Sequence, residues 1–316
     1  MKTRLYRLLM LLFSLILCSC ANDFTKVKVA QFGDTFIYMP LYLADEQGFF
    51  NEEGLDVSFI STGGDDKTFA AVMSGSATFG IADPAFVAIA REKGFNGKVI
   101  GSIVNGIPFY AVAKNPDINS LVDSTNLRTR RVATFPAPST AYTLQVEMFE
   151  DLGHTPNIVQ GSMGTLLAML DSDRADIALE LEPNVSASLH NGSKIVYDFS
   201  EKYEQFAFTG VSVSNKTIHD APELITKFMR AISKAEKYAH EHPDSAAVLM
   251  SNRYPNVNKD VVISAVLRMV NTHTTPCNPY ISLQAWKNSI DLRKRMGDII
   301  SEDDFSDLLD MSYITE

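Results

Sequence analysis

Thr68 to Phe86 reads TFAAVMSGSATFGIADPAF, and Thr165 to Val185 reads TLLAMLDSDRADIALELEPNV. Both stretches follow one plan: a Thr-led segment with apolar residues at helical spacing, a polar turn, a short apolar run, and an acid before proline. A carboxylate followed by a proline suits a helix start, because the carboxylate caps free N–H groups and the ring needs none. The two differ by two residues in the apolar run. The repeat predicts two similar lobes, each presenting strand ends and a helix start where open α/β sheets bind ligands.

Outward from the repeat, short β-branched runs alternate with helical patterns from Val27 to about Phe199, as in a parallel α/β sheet. Strands are expected near 27–31, 56–61, 79–82, 99–104, 131–135, 158–160, 177–180 and 195–197. Phe206 to Ser214 (FAFTGVSVS) and Phe109 to Ala113 (FYAVA) also read as extended. They are expected to cross between the lobes, entering the second near Lys114 and returning near Val211. That places lobe I at 26–112 and 212–316, and lobe II at 113–211. From Ala221 onward the pattern is helical only, at 223–241, 244–251, 259–271, 283–296 and near 304–309. Leu224, Phe228, Ile232 and Ala235 form an apolar stripe that reads as a packing face.

The N-terminus carries Lys2, Arg4 and Arg7, then apolar residues up to Leu17, and closes on Cys18, Ser19 and Cys20, the layout of a secretory signal over residues 1–19. Its apolar core is shorter than the roughly 20 residues a membrane span needs. Leu17 to Cys20 resembles the lipobox of bacterial lipoproteins, which implies lipidation at Cys20, and two acyl chains would anchor the protein to a membrane. With the leader removed, 25 cationic side chains face 38 acids, a formal charge of −13. That balance argues against nucleic acid as a partner. Cys277 is then left without an intramolecular partner, so no disulfide scaffold is expected.

MPLYLADEQGFFNEEGLDVSFI at 39–60, Met73-Ser74-Gly75 before Phe79 to Asp83, Pro138 to Ala141, and Glu182-Pro183 together resemble the nitrate, sulfonate and taurine type of ABC solute-binding protein. The broader group includes binders of thiamin-pyrimidine precursors. The resemblance implies the two-lobed periplasmic binding protein fold (type II), α/β, each lobe a mostly parallel sheet flanked by helices, with a helical C-terminal tail. It also implies a monomeric extracytoplasmic protein that closes on a small organic solute and delivers it to a permease and its ATPase.

Carried over by position, the loop after the first strand offers Asp34, Thr35, Phe36 and Tyr38, whose rings either line the cleft or cover the following helix. Gly64, Asp65 and Asp66 either meet ligand or only cap their helix. Asp83 and Pro84 follow in the first lobe. In the second, Ser139 and Thr140 open a helix whose free N–H groups suit an anion, although Pro138 in place of the family's glycine removes one donor. Glu180 and Glu182 flank Leu181, where many relatives carry an aromatic. Acids at 65, 66, 83 and 182, with few cations nearby, favour a neutral or nitrogen-bearing solute.

No nucleophile elbow, P-loop or dinucleotide fingerprint is present, so no enzyme activity and no cofactor are expected. His240, His242, His273 and Cys277 match no standard metal spacing, and no metal is expected. Two alternatives stand beside the importer reading. One is an enzyme of this fold that makes a thiamin pyrimidine, which in fungal relatives uses a cysteine-rich segment and a cofactor-bearing lysine. The other is a sensory binding protein that presents its closed form to a receptor.

Overall fold

The computed structural model describes residues 24–314 except 123–128, 138, 155–156, 163 and 204. The leader and Cys20 therefore lie outside the described residues, as does Pro138.

Ten described strands form two five-stranded sheets. They are β1 Thr25–Gln31, β2 Leu55–Ser61, β3 Phe79–Ala82, β4 Gly97–Asn105, β5 Tyr110–Ala113, β6 Val132–Thr134, β7 Ile158–Gln160, β8 Ile177–Glu180, β9 Lys194–Asp198 and β10 Ala207–Ser214. The first sheet has the order β2-β1-β3-β10-β4 and the second β7-β6-β8-β5-β9. β10 runs antiparallel to β3 and β4, and β5 runs antiparallel to β8 and β9, while the other pairings are parallel. Both sheets thus share one topology: four parallel strands with a single reversed strand in fourth place. The repeated sequence plan falls on equivalent strands, β3 and β8.

The reversed strand of each sheet is delivered by the chain as it crosses from the other. After β4 the chain enters the second sheet at Tyr110, and after β9 it rejoins the first at Ala207. Both crossings precede the positions expected from sequence. Val211 pairs with Ile81 inside the first sheet, and Tyr110 pairs with Glu180 inside the second. The physical reason is that both extended segments are covered on both faces: Tyr110–Ala113 is buried throughout and Ala207–Ser214 nearly so. Alternation marks a strand but does not say which sheet covers it.

The helices that carry the argument are α1 Met39–Glu46, α2 Asp65–Met73, α3 Phe86–Glu92, α4 Thr140–Asp151, α5 Leu166–Asp171, α6 Asn184–His190, α7 Pro222–Glu241, α8 Pro243–Arg253, α9 Lys259–Asn271 and α10 Leu283–Arg295. The stretch expected as a helix near 304–309 is a single 3-10 turn, Ser306–Leu308. α7 buries Ile225, Phe228, Ile232 and Ala235 against the first lobe. Phe228 stacks between Phe50, at 5.2 Å between ring centres, and Phe79 of β3, at 4.0 Å. α10 is fastened by fully buried Trp286, whose indole N–H donates to the Phe305 carbonyl at 3.1 Å, and by the Ser289 hydroxyl, which accepts from the Ala207 N–H at 3.0 Å. The helical tail therefore packs on the first sheet and its helices and also touches helices of the second: α9 packs on α6, and α10 extends to α4. Among the described residues, no helix is long and apolar enough to cross a membrane.

Phe228 joins α7 to Phe79 of β3 and to Phe50 ahead of β2, so its loss leaves a cavity that neighbouring rings cannot refill. Phe228→Ala should lower unfolding stability by about 3–5 kcal/mol in urea titration, with the denaturant slope unchanged.

Candidate functional site

The carboxyl ends of β1, β3, β6, β7 and β8, together with the start of α2, converge on one cavity of about 360 Å³. Lobe I supplies Phe32, Thr35, Ile37 and Tyr38 after β1, Asp65 at the start of α2, Asp83 and Phe86 after β3, Phe208 and Thr209 from β10, and Arg293 from α10. Lobe II supplies Phe135, Ser139, Thr140 and Ala141 at the start of α4, Ser162 after β7, and Leu181 after β8. Phe109 contributes from the first crossing. The lining is chiefly apolar, with six aromatic rings and with polar groups at its centre, as in sites for small organic molecules.

At that centre lies a bridge between the lobes. The Arg293 guanidinium, 4 % exposed, donates through one terminal nitrogen to the Asp83 carboxylate and to the Thr140 hydroxyl, the latter at 3.0 Å. Its other terminal nitrogen donates to Asp298 at 3.0 Å. Thr140 in turn donates to Asp83 at 3.3 Å. The two oxygens of Asp83 divide their work: Oδ1 accepts from the Ala85 N–H at 2.9 Å and caps the turn after β3, while Oδ2 faces Arg293 and Thr140. Asp65 accepts the Asp83 N–H at 3.1 Å. Burial, and then the adjacent Asp83 charge, push the Asp65 carboxyl above the usual carboxylate range. Burial likewise drives the Tyr38 hydroxyl well above its ordinary value.

Of the residues singled out from sequence, Thr35, Tyr38, Asp65, Asp83, Ser139 and Thr140 are brought together around this cavity. Ser139 also caps α4, its hydroxyl accepting the Tyr142 N–H at 3.2 Å. The others lie elsewhere. Asp34 is exposed and accepts from Arg253 at 2.9 Å and from the Tyr254 hydroxyl at 2.6 Å, so it braces the loop from behind. The same bracing buries Phe36 against the Tyr254 ring at 5.3 Å. Gly64 caps α2, its carbonyl accepting from Thr68, and Asp66 faces a separate groove beside α2 and α3. Pro84 turns toward β10 at Gly210, where an added Cβ would stand 2.8 Å from the Pro84 Cβ. Glu180 is buried beside Asn184, which donates to it at 3.1 Å. Glu182 accepts from the Ser186 N–H at 3.0 Å and hydroxyl at 2.9 Å, and from Arg268 of α9 at 2.8 Å. It joins the lobes outside the cavity. For Asp34, Glu180 and Glu182, a partner elsewhere in the chain takes the carboxylate that sequence alone leaves free.

Sequence reasoning missed Arg293 and the phenylalanines at 32, 86, 109, 135 and 208. Arg293 carried a signal: it falls in line with Trp286 and Ile290 on the buried face of α10, where an unpaired cation is not tolerated. Phe32 and Phe135 directly follow β1 and β6, the positions at which side chains face a crevice.

The buried acid Glu180 yields a pH test. Burial raises its carboxyl from the ordinary 4.5 to about 7, and Oε1 has no hydrogen-bond partner among the described residues. The folded state therefore holds this proton more tightly than the unfolded chain. The resulting stabilisation is complete below about pH 4.5 and is lost as pH rises through 7. Glu180→Gln should remove that slope, gaining up to about 3 kcal/mol on wild type between pH 4.5 and 8 in chemical denaturation.

The comparisons with known proteins agree with this architecture. "Putative binding protein YtlA" of Bacillus subtilis is 24% identical over 300 residues, covering 92% of this chain and 89% of that one. The 4-amino-5-hydroxymethyl-2-methylpyrimidine phosphate synthase of Candida albicans is 23% identical over 241 residues, 71% of this chain and 70% of that one. The crystal structure of the periplasmic aliphatic sulphonate binding protein SsuA from Escherichia coli superposes with a TM-score of 0.70 at 14% identity, covering 92% of each chain, and so shares the fold. The sequence profile of the NMT1/THI5 like family matches residues 35–246, which span both sheets. This chain therefore belongs to the NMT1/THI5-like family.

Proposed function

We propose that the chain is the extracytoplasmic, lipid-anchored solute-binding component of an ABC importer, which captures a small organic solute between its lobes and hands it to a permease and its ATPase. The observation that carries this reading is the cavity itself: strand ends of both sheets line it, and Asp83, Arg293 and Thr140 join the lobes across it. A volume of about 360 Å³ suits a small molecule. Because the lobes are joined covalently only at the two crossings, a solute that touches both favours the closed arrangement by its differential contacts. We assign residues 24–105 and 207–314 to lobe I and 110–198 to lobe II, on the strand pairings. Lipidation at Cys20 rests on the lipobox resemblance.

The similarity to a pyrimidine phosphate synthase supports a second reading, an enzyme of the same fold. Its requirements are a cofactor-bearing lysine and a cysteine-rich segment, and the described cavity lining contains neither lysine nor cysteine. The lining therefore favours capture over chemistry.

The test is a thermal-shift screen of solute-free protein against sulfonates, pyrimidines, flavins and amino compounds. A true solute at a hundredfold its dissociation constant adds about 2.7 kcal/mol, which moves the melting temperature by several degrees. At least one class should do so, and Phe135→Ala should reduce the shift. Stabilisation by none of them, with no change in scattering radius, would reject capture of these solutes.

A further inference from the structure

We propose that Asp83 and Asp298 set the charge selectivity of the cavity by occupying Arg293 from both sides, so that the site excludes sulfonates and other strong anions and takes a neutral or cationic solute. The proposal rests on the solute-binding reading and names the solute class.

Among the described lining residues the charged side chains are Asp65, Asp83 and Arg293. A lone arginine in an aromatic cavity would ordinarily mark an anion site, because its fork matches carboxylate and sulfonate oxygens. Here the fork is already filled. One terminal nitrogen serves Asp83 and Thr140, and the other serves Asp298 at 3.0 Å. The Arg293 side chain is 5 % exposed and that of Asp83 10 %, so neither partner is freed by simple rotation into water. Asp298 lies just beyond α10, outside the cavity lining, and its side chain is 31 % exposed.

Two carboxylates around one guanidinium leave the group net negative. Asp65 adds a second acid beside Asp83, and no described residue forms a salt bridge with it. At the start of α4 the Tyr142 N–H is already taken by the Ser139 hydroxyl, which removes one of the donors an anion would use there. An incoming sulfonate would have to displace Asp83 from Arg293 and leave that carboxylate buried without a partner, which is costly. Like charges placed together in this way suppress a wrong partner. A protonated amine or a neutral nitrogen donor meets the opposite field, with Asp65 as an acceptor and the phenylalanine rings as faces for a cation. This chain therefore differs in charge logic from an anion-binding site built on the same fold.

The experiment is isothermal titration of solute-free protein with sodium ethanesulfonate at constant ionic strength. Wild type should show no binding at millimolar ethanesulfonate. Asp298→Asn, which alters a partly exposed acid outside the lining, should gain affinity by at least about tenfold. Asp83→Asn should gain as well if it folds by circular dichroism, and adding Arg293→Gln to Asp298→Asn should abolish the gain. Binding of ethanesulfonate by wild type, lost on Arg293→Gln, would overturn the charge assignment while leaving solute capture intact. A folded Asp298→Asn protein with no gain would overturn it too. Failure of solute capture itself shows in the broad thermal screen, where no class of compound would stabilise wild type.

Discussion

In each sheet, two of the four parallel strands pair with a strand that runs the other way and belongs, by chain order, to the opposite lobe. β5 follows the last strand of the first sheet and pairs in the second, and β10 follows the last strand of the second and pairs in the first. This exchange ties the lobes together without fusing their cores into one sheet. It also brings the carboxyl ends of both sheets to the same gap, because each lobe is entered from the crossing side. The cavity, its aromatic lining and the polar bridge across it all follow from that exchange.

The bridge itself is an unusual use of a buried cation. Arg293 is anchored by a helix fastened along its length to lobe I: Trp286 sits in a cluster with Phe69, Val87, Val99 and Phe305, and Ser289 ties the helix to the start of β10. The guanidinium is desolvated and shared between acids of lobe I and a hydroxyl of lobe II. Buried pairs of this kind contribute little net stability once desolvation is counted, and removing one partner is far more damaging than replacing the whole set. Their value here is positional. A second contact of the same type, Arg268 with Glu182, and a more exposed one, Arg295 with Glu147, also run from the C-terminal helices to lobe II.

Much of the fold was legible in sequence because its signals are local. Runs such as Val27 to Gln31 and Ile177 to Glu180 are β-branched or apolar between turn residues, and the repeated plan at 68–86 and 165–185 falls on equivalent strands. The crossings were misplaced by several residues because strand pairing is a tertiary choice, and Tyr110 to Ala113 is equally compatible with either sheet. The site was half legible. Thr35, Asp83, Ser139 and Thr140 follow strand ends, and that position brings them to the cavity lining. Asp34 and Glu182 fall outside the cavity lining, held by Arg253 and Arg268, which lie in helices far along the chain. Arg293 was missed for the same reason, since 210 residues separate it from Asp83.

The central claim is mechanical: two lobes joined at two crossings close on a solute held at their strand ends. Double electron–electron resonance between spin labels at Ser74→Cys in lobe I and Asn191→Cys in lobe II, in a Cys277→Ser background, reads that motion directly. Both labelled positions are exposed. Addition of whichever compound best stabilises the protein should shift the distance distribution to shorter values and narrow it. An identical distribution with and without saturating solute would contradict the account.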